Sequence, residues 1–108
     1  NFKNMAVKQL NEQNFENSVA TWVTLIDFWA EWCGPCQMVL PVMDKLAETM
    51  WDKANICKVN VDEAPALAQA FRVMSIPCFV VLKDGKMVDQ FVWVQTLDQL
   101  TEKVSKFL

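Results

Sequence analysis

The chain of 108 residues contains no histidine. Imidazole-assisted catalysis is therefore excluded, and any proton transfer near neutral pH has to run through a carboxyl group, water or a thiol. Also missing is any apolar stretch approaching the roughly eighteen residues of a membrane span. The N-terminus has no basic region followed by an apolar core, so the expected compartment is the cytoplasm. There is no basic run, and the net charge is −3, which argues against nucleic acid or an anionic membrane as a main partner. Repeats and low-complexity segments are absent. The length suits one domain over residues 1–108, with residues 1–4 expected to be a disordered or appended extension before Met5. What the chain does have is apolar mass: 53% hydrophobic residues, with five Trp and seven Phe, fill a single core.

Of the four cysteines, two stand close together in Trp32-Cys33-Gly34-Pro35-Cys36. The run before them, Val23 to Ala30, is short, apolar, β-branched and aromatic, and reads as a buried strand of a parallel sheet interrupted by Asp27. After Cys36, the residues Val39, Val42, Met43, Leu46, Ala47 and Met50 recur at helical spacing. Cys33 therefore belongs at a helix N-terminus, where unpaired N–H groups and the positive end of the dipole favour an anion. Pro35 suits that first turn because its missing N–H was unpaired in any case. The anion that gains is a thiolate, so Cys33 is expected to fall from the free thiol value of about 8.5 towards neutrality and to act as a nucleophile. Cys36, one turn deeper, is expected to be shielded and to stay protonated longer. Such a pair is suited to reversible disulfide chemistry, although zinc sites and structural disulfides also use C-x-x-C.

The remaining elements follow from local patterns. Val7–Leu10 reads as an edge strand, and Asn14–Val19 as a short helix with Phe15 and Val19 four apart. Ala54–Val61 reads as a strand. Ala64–Phe71 reads as a helix with Pro65 at its start and an inward stripe of Leu67, Ala68 and Phe71. Cys78–Leu82 and Met87–Val92 form a hairpin across Asp84-Gly85. Thr96-Leu97-Asp98-Gln99 is a capping box, opening a helix that buries Leu97, Leu100, Val104 and Phe107. Pro41 should kink the long helix by deleting one hydrogen bond. The order β-α-β-α-β-α-β-β-α predicts an α/β fold with a five-stranded mixed sheet flanked by four helices. Asp27 within its apolar strand loses hydration, and its pKa should rise well above about 3.9; the alternative is a surface-facing Asp at a strand end.

Asp27-Phe28-Trp29-Ala30-Glu31-Trp32-Cys33-Gly34-Pro35-Cys36, Pro41, Lys58-Val59-Asn60-Val61-Asp62, Ile76-Pro77 and Lys83-Asp84-Gly85-Lys86 resemble the thioredoxin family, in order and spacing, over almost the whole chain. The resemblance implies the thioredoxin fold and a protein-disulfide reductase. In that reading Cys33 attacks a client disulfide, Cys36 resolves the mixed disulfide, and Asp27 takes the proton from Cys36 with Lys58 close by. It further implies that Ile76-Pro77 is cis and packs on the cysteine pair, leaving the Ile76 backbone to pair with an extended substrate, whereas an X–Pro bond on its own is usually trans. Trp32 would cover one side of the site, and Trp32, Ile76, Pro77 and Trp93 would line the substrate groove. Trp29 is read equally as core support or as a functional group. No bound cofactor is expected beyond the redox-active Cys33–Cys36 disulfide; electrons would come from NADPH through a flavoprotein, thioredoxin reductase. The other partners would be disulfide-containing client proteins, with the chain a monomer or weak dimer.

Cys57 and Cys78 read most simply as small buried hydrophobes, although an exposed Cys78 beside Pro77 could form an inhibitory or regulatory disulfide. Trp22, Trp51 and Trp93 each stand where thioredoxins commonly have Gly. Ordinary divergence explains this, as does a codon read as Trp where the source reads Gly, or deliberate alteration. A Gly just past a helix usually takes positive φ, so Trp51 is expected to cost stability, and Trp93 to narrow the groove or offer a stacking surface. Two other functional classes stand beside the reductase. One is an oxidase or isomerase of the same fold, against which the Gly-Pro dipeptide between the cysteines argues. The other is a non-enzymatic zinc or redox-dependent binding module, against which the unpaired spacing of Cys57 and Cys78 argues.

Overall fold

In the computed structural model, which describes residues 6–108, nine elements alternate as the periodicities predict. They are β1 (Lys8–Gln9), α1 (Phe15–Val19), β2 (Val23–Trp29), α2 (Gly34–Met50), β3 (Ala54–Asn60), α3 (Pro65–Ala70), β4 (Cys78–Lys83), β5 (Lys86–Val92) and α4 (Leu97–Ser105). The expectation for residues 1–4 lies outside the described residues.

The sheet order is β1-β3-β2-β4-β5. β1, β3 and β2 run parallel, while β4 pairs antiparallel with β2 and with β5. Central β2 is flanked on both sides, which is why six of its seven residues are buried and why its sequence is apolar without alternation. Successive side chains still point to opposite faces. Val23 and Leu25 pack with Val39, Met43 and Leu46 of α2 and Leu100 and Val104 of α4. Ile26 and Phe28 pack on the other face with Val19 of α1 and Leu67 of α3. Asp27 shares the parity of Val23 and Leu25 and so faces α2.

Local chemistry sets the boundaries. Asp84 (φ 50°) and Gly85 (φ 82°) are both left-handed, the geometry of the tight turn that joins right-twisted strands. Thr96 and Gln99 form the reciprocal capping box, with Thr96 Oγ1 accepting from Gln99 N at 3.1 Å and Gln99 Oε1 accepting from Thr96 N at 2.9 Å. α2 runs as one element through Pro41.

The three tryptophans at Gly-like positions divide. Trp22 (φ 70°) and Trp93 (φ 82°) are left-handed, held there by hydrogen bonds from Asp84 N to Trp22 O (3.0 Å) and from Trp93 N to Pro77 O (2.9 Å). A side chain in this region costs about 1–2 kcal/mol, because Cβ crowds the following carbonyl. Trp51 corrects the sequence expectation: its φ of −53° is right-handed, so it continues the helical geometry of α2 and carries no such strain. Trp22→Gly and Trp93→Gly together are therefore expected to raise Tm by several degrees. The relief is partly offset by the roughly 0.5–1 kcal/mol of extra unfolded-state freedom of each Gly. Trp51→Gly should lower Tm. Thermal unfolding by circular dichroism reads both, and an unchanged or lower Tm for the double variant would contradict the strain.

Candidate active site

Cys33 is the N-cap of α2, with extended backbone (φ −90°, ψ 105°), and Pro35 lies in the first turn as the missing donor requires. Its sulfur accepts a hydrogen bond from Cys36 N at 3.2 Å, the contact an oxygen makes in an ordinary N-cap. Cys33 and Cys36 are joined as a disulfide. Cys33 keeps 5% of its surface and Cys36 none, so Cys33 is the less enclosed of the two. Ala30, Trp29, Val61 and Ile76 pack around the pair.

The loop before β4 comes in from the other side. Ile76–Pro77 is cis, and the Ile76 carbonyl oxygen lies 3.9 Å from Cys33 Sγ. Among the described residues neither backbone group of Ile76 pairs with another backbone group, while Pro77 O is taken by Trp93 N. Trp32 stands 71% exposed beside Cys33, anchored by its indole N–H donating to Asp62 Oδ2 at 2.9 Å. Asp62 is in turn fixed by an Asx turn in which Asn60 Oδ1 accepts from Asp62 N (2.9 Å) and Glu63 N (3.2 Å).

Asp27 is fully buried, which removes the surface-facing alternative. Neither carboxyl oxygen has a hydrogen-bond partner among the described residues. Desolvation pushes its pKa from 3.8 up to about 7, moderated by the positive charge of Lys58, its register partner on β3. Lys58 Nζ lies over the Trp29 ring, 5.3 Å from the centroid. Trp29 thus shields the lysine from one side and packs on the cysteine pair from the other. Its own indole N–H is buried without a partner among the described residues.

The structure brings together Cys33, Cys36, Trp32, Gly34, Pro35, Ile76 and Pro77, and sets Asp27 and Lys58 side by side on the sheet face that packs on α2. Trp93 joins them only through its bond to Pro77. Cys57 and Cys78 are both free and buried on the opposite face, with Ile26, Phe28 and Val80. Burial pushes the Cys57 thiol up to about 12. Burial also raises Cys78, the Asp27 charge adds to the rise, and a hydrogen bond from Gln90 opposes it. Neither is a ready nucleophile. Among the described residues no cluster of His, Cys, Asp or Glu is placed to hold a metal ion. In the sequence Asp62 shows only as a member of the Lys58–Asp62 motif, without its anchoring role, and the exposed Met74, which lines a cleft beside Trp32, does not show at all. No local pattern marks Met74.

A cysteine pair capping a helix against a proline loop, on a mixed sheet with helices on both faces, defines a thiol–disulfide oxidoreductase that works by dithiol–disulfide exchange. A sequence model of the thioredoxin family matches residues 6–106. Thioredoxin from Staphylococcus saprophyticus is 46% identical over 104 residues, covering 96% of this chain and 100% of that protein. Thioredoxin from Staphylococcus aureus is 44% identical with the same coverage. A mutant thioredoxin from Halobacterium salinarum superposes with a TM-score of 0.90 at 34% identity, over 96% of this chain and 92% of that one. The chain belongs to the thioredoxin family.

Proposed function

We propose that the chain is a protein-disulfide reductase in which Cys33 is the nucleophile, Cys36 the resolving thiol and Asp27 the proton acceptor. The observation that carries this reading is the placement of the Cys33 sulfur. It accepts a helix N-terminal N–H and stands 3.9 Å from a carbonyl whose backbone groups are free to pair with an incoming strand.

In the reduced protein the N–H of Cys36 and the helix dipole favour the thiolate of Cys33 over its thiol. The thiolate attacks one sulfur of a client disulfide, the client S–S bond breaks, and the other client sulfur leaves as a thiolate. Cys36 then gives its proton to the Asp27 carboxylate and attacks Cys33 Sγ. The mixed disulfide breaks, and the client departs with both sulfurs reduced while Cys33–Cys36 carries the lost electron pair as its disulfide. Asp27 suits the role because burial places its proton affinity near neutrality, and Lys58 keeps it from rising further. Gly34 and Pro35 shape the turn that holds the sulfurs together. Trp32, Ile76, Pro77 and Trp93 form the client groove.

NADPH and a flavoprotein thioredoxin reductase would return the disulfide to the dithiol. The reading places the chain in the cytoplasm as a single domain, a monomer or weak dimer, with disulfide-containing proteins as clients and neither nucleic acid nor membrane as a partner. The relatives support it, being named thioredoxins throughout their length. The test is turnover of a disulfide-bonded protein such as insulin by the purified chain, with a bacterial thioredoxin reductase and NADPH. NADPH is expected to be consumed only when all components are present, and no consumption in the complete mixture would overturn the reading.

A further inference from the structure

Large apolar side chains stand in solvent on three separate loops tied to the cysteine pair: Trp32 beside Cys33 is 71% exposed, Met74, two residues before Ile76, 92%, and Trp93, bonded to Pro77, 61%. Single exposed apolar residues are ordinary, but a group tied to one reactive pair forms a binding surface. The connections are specific. Trp32, Val61, Val73, Met74 and Ile76 line one cleft of about 310 Å³, and Ile76 is the residue whose carbonyl approaches Cys33. Trp93 N is bonded to Pro77 O, and Trp93 O accepts from Gln95 Nε2 at 3.3 Å, so its backbone is fixed beside the cis-proline.

The three differ in freedom. Trp32 is tied to Asp62 and Trp93 is held by its backbone, whereas Met74 has an unbranched, polarizable side chain that adapts to what it covers. No Lys, Arg, Asp or Glu lines the cleft. A charged client side chain entering it would lose hydration and gain no ion pair, whereas a bulky apolar one would bury its surface and that of Met74 together.

Resting on the reductase reading, we propose that Met74 and Trp93 are specificity-determining residues. They select extended client segments whose reacting cysteine is flanked by bulky apolar or aromatic residues, one flank entering the cleft beneath Met74 and the other lying against Trp93. Discrimination of this kind is a difference in buried apolar area, and a site of this size separates an apolar flank from none by roughly tenfold.

The test uses disulfide-linked dimers of short capped peptides with Leu, Phe, Gly or Glu on both sides of the cysteine. Each is reduced in single turnovers by the dithiol form of the full chain, and each rate is divided by that for dithiothreitol to remove intrinsic reactivity. The wild-type chain is expected to prefer the Leu and Phe dimers over the Gly dimer by about tenfold, with the Glu dimer slowest. Met74→Gln and Trp93→Asn, the latter keeping a residue that tolerates positive φ, should each cut that preference at least in half, and the double variant should nearly abolish it. A flat wild-type profile, or a preference untouched in both variants, would overturn the specificity assignment while leaving the reductase standing. Failure to reduce any dimer would overturn the reductase itself.

Discussion

Cys33→Ser is expected to leave no protein-disulfide turnover above background, and Cys36→Ser to stop at a covalent complex with the client. The two cysteines differ in the direction the proposed roles require: Cys33, the helix N-cap, keeps 5% of its surface, and Cys36, one turn deeper, keeps none. A serine hydroxyl at 33 is not ionised at neutral pH even with the Cys36 N–H beside it, so the attacking anion is lost. A serine at 36 leaves attack intact but removes the resolving sulfur, which the helix otherwise holds at high effective concentration against the mixed disulfide. Non-reducing electrophoresis and intact mass of the Cys36→Ser protein with insulin should show the adduct. The Cys33→Ser protein should show none, because Cys36, Cys57 and Cys78 are buried. Equal adduct from both variants, or turnover retained in either, would remove the assignment.

Asp27→Asn is expected to make the protein more stable at neutral pH and slower at resolving its mixed disulfide. The folded protein holds a proton on Asp27 up to about pH 7, whereas the unfolded chain releases it near 3.8. Between those values the folded state binds more protons, so Asp27 adds no pH-dependent penalty below the lower pKa and erodes stability as pH rises to the upper one. Between pH 5 and pH 7 the loss amounts to roughly 3 kcal/mol at 1.36 kcal/mol per pH unit, and above pH 7 it levels off. The Asn side chain stays neutral throughout, so its urea-unfolding free energy should lack most of that decline and exceed the wild type at pH 8 by a similar amount. On the proposed mechanism Asp27 takes the proton of Cys36, so release of client from the mixed disulfide by Asp27→Asn should slow by about ten- to a hundredfold. Stability curves that run parallel for the two proteins from pH 5 to 8 would refute the buried charge, and unchanged client release would refute the proton transfer.

Much of this was legible in the sequence because it rests on local chemistry. The Asp84-Gly85 turn, the Thr96–Gln99 box and the apolar stripe of α2 each require only neighbours along the chain. The burial of Asp27 was legible too, since a strand without alternation is covered on both faces. What the sequence hid depends on segments meeting in space. Asp62 looks like any loop acid until α2 and the end of β3 bring it within reach of Trp32. Met74 looks like any apolar residue until the loop before β4 leaves it in solvent. Trp51 misled for a related reason: the position after a helix often reverses to positive φ, but here Lys53 N reaches back to Met50 O at 2.8 Å and the turn closes with residue 51 still right-handed.

The midpoint potential of the Cys33–Cys36 couple tests the central claim most directly. It can be measured by thiol trapping in graded dithiothreitol buffers, with zinc content assayed on the same sample. A reductant of this family should titrate near the −270 mV, approximately, that is characteristic of thioredoxin. A midpoint higher by about 100 mV would instead mark an oxidase or isomerase, and thiols that never titrate while zinc stays bound would contradict a redox role altogether.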